Sequence, residues 1–195
     1  MKKILIGGIG NVLLGDDGVG PYVARLLAAH YDFEAGVEVD DLGTPALDLI
    51  DRISGKDAVI LIDSVDANDT GAAPGTVLLY RKADIIRHRS AMRMDPHSPA
   101  LVDALLSADL FGVAPMDVLL VGVAANSFQP GCSLSKPVKA ALDQVTAEVL
   151  AELNRLGVSY GCREHPGALD IWWLAGENTS EEKTAEETKS APLAI

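Results

Sequence analysis

Cysteine, aromatic residues and clustered bases are all scarce in this sequence, and each scarcity excludes something. Two cysteines, Cys132 and Cys162, cannot build a multi-disulfide scaffold or a four-cysteine zinc site. Aromatics make up 5% of residues, so Ala, Val, Leu and Ile must fill the interior. Lysine and arginine number 16 against 28 acids, a net charge of −12, and such an acidic surface argues against a nucleic-acid partner. No apolar run approaches the ~18 residues of a membrane span. The opening Met1-Lys2-Lys3-Ile4-Leu5-Ile6 turns glycine-rich too early for the apolar stretch of a signal peptide. The expectation is a soluble, cytoplasmic, monomeric protein with neither nucleic acid nor membrane as partner.

What is present is ample for a core: 48% of the 195 residues are apolar, enough for one domain with an appendage. The long helical pattern stops at Gly157, which suggests an α/β domain over 1–157 and an acidic extension over 158–195. From Arg163 to Ile195 seven acids face three bases, so a third of the net charge sits there. Residues 168–175, Ala-Leu-Asp-Ile-Trp-Trp-Leu-Ala, hold both tryptophans of the chain. They either pack back on the domain, the plainer reading, or dock a partner, since Trp is enriched at interface hot spots. Beyond Glu177 the Glu-, Thr-, Ser- and Lys-rich composition is that of a solvated, disordered segment.

Within 1–157, apolar strand signals alternate with amphipathic helix signals. Lys3–Gly8, Val37–Asp41, Ala58–Ile62, Val77–Tyr80 and Val118–Val121 read as strands, Ala58–Ile62 most strongly. Helical spacing follows Val19, opens at Thr44-Pro45 through Leu49, Ile50 and Ile53, and follows the Ser98-Pro99 cap. A long helix starts at Ser135 and Pro137, with Val138, Leu142, Val145, Val149, Leu153 and Leu156 on one face. Continuous apolar strands separated by such helices imply a mostly parallel sheet covered on both faces. Such sheets bind ligands at the carboxyl ends of their strands, near a topological switch point.

The glycine-rich loop from Gly7 to Gly20 sits where a dinucleotide fingerprint would, but its spacing fails. Leu13 stands where the third glycine should be, and Asp16-Asp17 stand where a Walker frame needs Lys-Ser/Thr. Its glycines look like backbone flexibility without nucleotide chemistry. Three loops at the expected rim instead carry metal-capable groups: Asp16 and Asp17, Asp63 with Asp66 beyond it, and His97 in Asp95-Pro96-His97-Ser98-Pro99. If the strands leading to Asp17 and Asp63 are neighbours, their carboxylates converge and His97 closes a third corner. Two carboxylates and an imidazole leave coordination positions open, as in a catalytic or exchange site, and suit a borderline divalent ion such as zinc or nickel. Each also has a plainer reading: a helix-terminus carboxylate, a turn former, a histidine beside a cap. Spacing alone does not separate Asp16 from Asp17.

Gly10-Asn11-Val12-Leu13-Leu14-Gly15-Asp16-Asp17-Gly18-Val19-Gly20 closely resembles the opening motif of the hydrogenase maturation proteases, the endopeptidases that finish the large subunit of [NiFe]-hydrogenases. Further matches follow in order at Asp41-Leu42-Gly43-Thr44, Ile62-Asp63-Ser64-Val65-Asp66 with Gly71 to Thr76, Pro96-His97, and Gly122-Val123 through Leu134-Ser135. The resemblance spans about residues 4–157. It implies a three-layer α/β/α sandwich with a five-stranded sheet, an aspartic-type endopeptidase activity, and a catalytic metal site on Asp17, Asp63 and His97. Asp41, Gly43 and Thr44 match a loop implicated in substrate selection. The implied reaction removes a short C-terminal peptide from the [NiFe]-hydrogenase large-subunit precursor after nickel insertion, with the nickel supplied by the precursor. Zinc or another divalent ion would be able to fill the site in isolation. The alternative is a non-proteolytic nickel-checking chaperone for the same precursor. The sequence departs from the family pattern at Thr44-Pro45-Ala46, where a further glycine is common, and at Ala125-Asn126, where many relatives carry Pro-Glu.

Overall fold

The computed structural model describes residues 1–45, 48–87 and 99–174. In chain order its elements are β1 (Ile4–Ile9), α1 (Val19–His30), β2 (Tyr31–Phe33), β3 (Val37–Gly43), α2 (Leu49–Ile53), β4 (Ala58–Asp66), α3 (Ala67–Thr70), β5 (Val77–Arg81), α4 (Lys82–Arg87), α5 (Pro99–Leu110), β6 (Asp117–Ala125), α6 (Lys136–Arg155) and β7 (Tyr160–Cys162). Short 3-10 turns occupy Gly15–Gly18 and Trp172–Leu174. No helix among the described residues is long and apolar enough to cross a membrane.

The apolar runs assemble into a five-stranded sheet of order β3-β1-β4-β6-β5. β1 is parallel to both β3 and β4, and β4 is parallel to β6; only β5 runs antiparallel, on the β6 edge. Period-two alternation sends each strand's apolar residues to opposite faces, and both faces are covered. On one side Ile4, Ile6, Ile60, Ile62, Val121 and Val123 pack against Val23 and Leu27 of α1 and Val145, Val149 and Leu153 of α6. On the other, Leu5, Val59, Leu61 and Leu120 pack against Leu49 and Ile53 of α2, Ile85 of α4 and Leu105 of α5. The result is a three-layer α/β/α sandwich.

The chain leaves β1 toward β3 and leaves β4 toward β5 and β6, so the topological switch lies between β1 and β4. Their pairing ends at Gly8 with Ile62, while β4 continues beside β6 to Asp66. Thus Asp63, expected to end its strand, lies within a longer one. Its β6 side is hydrogen-bonded and its β1 side has lost its strand neighbour.

Other boundaries also moved. Regular α2 begins only at Leu49, after a turn in which the Asp48 N–H donates to the Pro45 carbonyl at 2.9 Å, so Thr44-Pro45 does not cap it directly. A two-stranded antiparallel ribbon of β2 and β7 joins the start of the extension to the end of α1. Three rings, Tyr31, Phe33 and Tyr160, gather on this ribbon at centroid spacings of 6.1–6.5 Å.

Candidate functional site

The 3-10 turn after β1 occupies the space beside β4 where β1 has ended. Close packing brings it there. A Cβ placed on Gly20 would lie 2.2 Å from the Ile9 carbonyl oxygen and 2.3 Å from that of Ile62, so only glycine lets the first turn of α1 sit on both strands. Gly10 has φ +135°, and a Cβ there would run into the Asp17 backbone carbonyl. These glycines therefore serve close approach more than the flexibility read from sequence.

Asp16, Asp17 and Asp63 are all buried, at 1%, 3% and 7% exposure. Asp16 turns toward the loop between β6 and α6. Its Oδ2 accepts from the backbone N–H of Asn126 at 2.8 Å and of Ser127 at 3.2 Å, and its Oδ1 accepts from Ser135 N–H at 2.6 Å. Asp17 turns toward β4. Its Oδ1 accepts from the Ser64 hydroxyl at 2.7 Å and its Oδ2 from the Asn11 N–H at 2.8 Å. Asp63 Oδ1 accepts from the backbone N–H of the same Ser64 at 2.8 Å. Ser64 thus stands between two buried carboxylates, one from the 3-10 turn after β1 and one from its own strand β4. In the sequence Ser64 stands out only as part of a motif; its place here comes from a contact across 47 residues.

Asp17 and Asp63 supply two oxygen-donor groups suited to a divalent ion. His97, the third expected member, lies outside the described residues. Among the described residues no three metal-capable side chains gather into one group.

Asp41, Gly43 and Thr44 lie at the carboxyl end of β3, next to this turn. They line a cavity of about 250 Å³ together with Gly10, Asn11, Val12, Trp172 and Trp173. The Gly10 N–H donates to the Gly43 carbonyl at 2.8 Å, tying the two loops together. Asp41 is held on both oxygens, by Arg25 Nε at 3.1 Å and by the Gly43 N–H at 3.1 Å. Arg25, on α1, also donates to the Asp170 carbonyl at 3.2 Å and carboxylate at 3.3 Å, and its guanidinium carbon stands 5.4 Å from the ring centre of Trp173. Residues 163–174 thus strap across α1: the N–H groups of Arg163 and Gly167 donate to the carbonyls of His30 and Ala29. Trp173 is 6% exposed and Trp172 60%. The sequence singled out the tryptophan patch as packing back on the domain or docking a partner, and Trp173 does pack back; the Arg25 link and the cavity it helps wall carried no signal, because α1, β3 and the strap are distant in the chain.

A family model described as hydrogenase maturation protease matches residues 21–152. The hydrogenase expression/formation protein HupM of Azotobacter chroococcum mcd 1 is 38% identical over 163 residues, covering 83% of this chain and 77% of the relative. The hydrogenase 2 maturation protease of Escherichia coli (strain K12) is 30% identical over 162 residues, covering 83% of this chain and 97% of the relative. Among solved structures, the hydrogenase maturating endopeptidase HybD from E. coli is similar with a TM-score of 0.77 at 30% identity, covering 83% of this chain and 98% of that one. The [NiFe] hydrogenase maturation protease HybD from Thermococcus kodakarensis gives a TM-score of 0.62 at 27% identity, over 77% and 98% of the two chains.

Proposed function

The chain belongs to the hydrogenase maturation protease family, and we propose that it is the endopeptidase that removes a C-terminal peptide from a [NiFe]-hydrogenase large-subunit precursor after nickel insertion. Asp17, Asp63 and His97 recognise the nickel, which the precursor carries in, and Asp41, Gly43 and Thr44 contact the substrate. The observation that supports this most is the Asp17–Ser64–Asp63 arrangement at the switch point between β1 and β4. Open sheets of this class bind ligands at that crevice. The Ser64 hydroxyl and N–H and the Asn11 N–H hold the two carboxylates in place, so they meet an incoming ion without first having to reorganise. A nickel bound by the precursor's thiolates would gain oxygen and imidazole ligands only when seated here, which makes its presence the signal for cleavage.

The test is to incubate the full-length protein with nickel-loaded precursor and measure the precursor's mass. A shift to a shorter chain is expected. Association without shortening would make the protein a nickel-checking chaperone. His97→Ala should abolish shortening while leaving the fold intact, as read by far-ultraviolet circular dichroism. Wild-type cleavage rates in that variant would sink the assignment of His97.

A further inference from the structure

We propose that Trp172 reads the substrate: the strap supplies the outer wall of the cavity beside Asp41, and an uncharged, apolar stretch of the precursor polypeptide packs on its exposed indole. This rests on the protease reading above and adds a residue that the family match, ending at residue 152, does not reach.

The two tryptophans divide the work. Trp173 is the anchor, buried against the domain with the Arg25 guanidinium over its ring. Trp172 is mostly exposed, yet it is held edge-on to Trp173 with ring centres 5.8 Å apart and planes at 89°. An indole fixed in this way loses little side-chain freedom when a partner covers it, which is how rigid aromatic anchors gain affinity.

Position and charge identify the partner. Gly10–Val12 line the cavity, and within this stretch the Asn11 N–H donates to Asp17 Oδ2, so the cavity and the candidate site share one loop. A chain with its scissile region at Asp17 and Asp63 that runs outward past this loop enters the cavity that Trp172 lines. Asp41 is the one charged residue among the described lining residues, and Arg25 and the Gly43 N–H already engage both its oxygens. What remains to be covered is the indole, the Val12 side chain, the uncharged Asn11 amide and Thr44 hydroxyl, and backbone. An acidic segment would be desolvated there without a counter-ion, whereas an apolar one covers the indole at no such cost.

The experiment compares steady-state processing of nickel-loaded precursor by the full-length wild type, Trp172→Ala and Trp172→Phe. Trp172→Ala should raise KM about tenfold and leave kcat within about twofold, as for loss of an aromatic hot spot. Trp172→Phe should recover most of the loss, and all three should share one thermal midpoint because the indole is exposed. A wild-type KM in Trp172→Ala overturns the inference, and so does a fall in kcat at unchanged KM. If the wild type leaves the precursor uncut, the protease reading fails, and affinity for immobilised precursor decides the role of Trp172. A tenfold loss in Trp172→Ala upholds it and equal affinities overturn it. A wild-type dimer that Trp172→Ala dissolves, with precursor affinity unchanged, would assign the indole to a second copy and also overturn it.

Discussion

Replacing Asp16 by asparagine would put an amide where three backbone N–H groups converge. One face of the new side chain would then present donors to donors, inside a site with 1% exposure. The expected cost is about 2 kcal/mol, as for a buried group left unsatisfied, or a fall of roughly 6 °C in thermal midpoint for a chain of this size. Calorimetry on Asp16→Asn measures it. The sequence marked Asp16 and Asp17 as a pair but did not tell them apart, and the reason is physical. Asp16 bonds to backbone N–H groups at residues 126, 127 and 135, and a backbone donor leaves no trace in residue identity. Asp17 bonds to a side-chain hydroxyl, and Ser64 could have been noticed only if the β1–β4 pairing had been known in advance.

At the scale of elements, long apolar runs were legible because burial on both faces demands them; β1, β4 and β6 fall where the runs are. Their ends were less so. Asp63–Asp66 look polar, yet they stay in β4 because β6 continues to pair with them through Ala125. The ribbon of β2 and β7 has three residues on each side, too short for any periodicity to register. Nor does composition reveal that β5 runs antiparallel. What secures that edge is Glu152 of α6, 4% exposed, which accepts from Arg81 of β5 at 2.6 and 2.8 Å and from Arg155 at 3.0 and 2.8 Å. Burial pushes the Glu152 carboxyl up, but the hydrogen bonds from Arg81 and Arg155 outweigh it and hold the group below its ordinary value of 4.5. A carboxyl depressed on folding adds stability above its unfolded pKa and loses it as pH falls through the folded one. Glu152→Gln should therefore be less stable than wild type by about 3 kcal/mol at pH 7, the low end for a buried pair because both arginines are half-exposed. The gap should narrow progressively below about pH 4.5, which urea unfolding across that range would show.

For the whole molecule, the described part of the 158–195 extension is not an idle addition. Val158 lies in the core beside α6, β7 completes the ribbon with β2, and Trp173 is buried against Arg25. A chain ended at Gly157 gives up all three. Burial of a valine and an indole is worth about 4 kcal/mol together, so its thermal midpoint should drop by roughly 10 °C. A midpoint within about 2 °C of wild type would show that the strap carries little of the domain's stability.

Trp172 and Trp173 are the only two tryptophans in the 195 residues, and both sit in the strap. The indole emission of this protein is consequently a report from one place. It reads the strap and the cavity wall and is nearly blind to the sheet, whose state far-ultraviolet circular dichroism records instead. During unfolding the two signals coincide only if strap and sheet come apart in one step. Separate midpoints would reveal a form with its domain folded and its strap released, visible by optical means in the unlabelled protein.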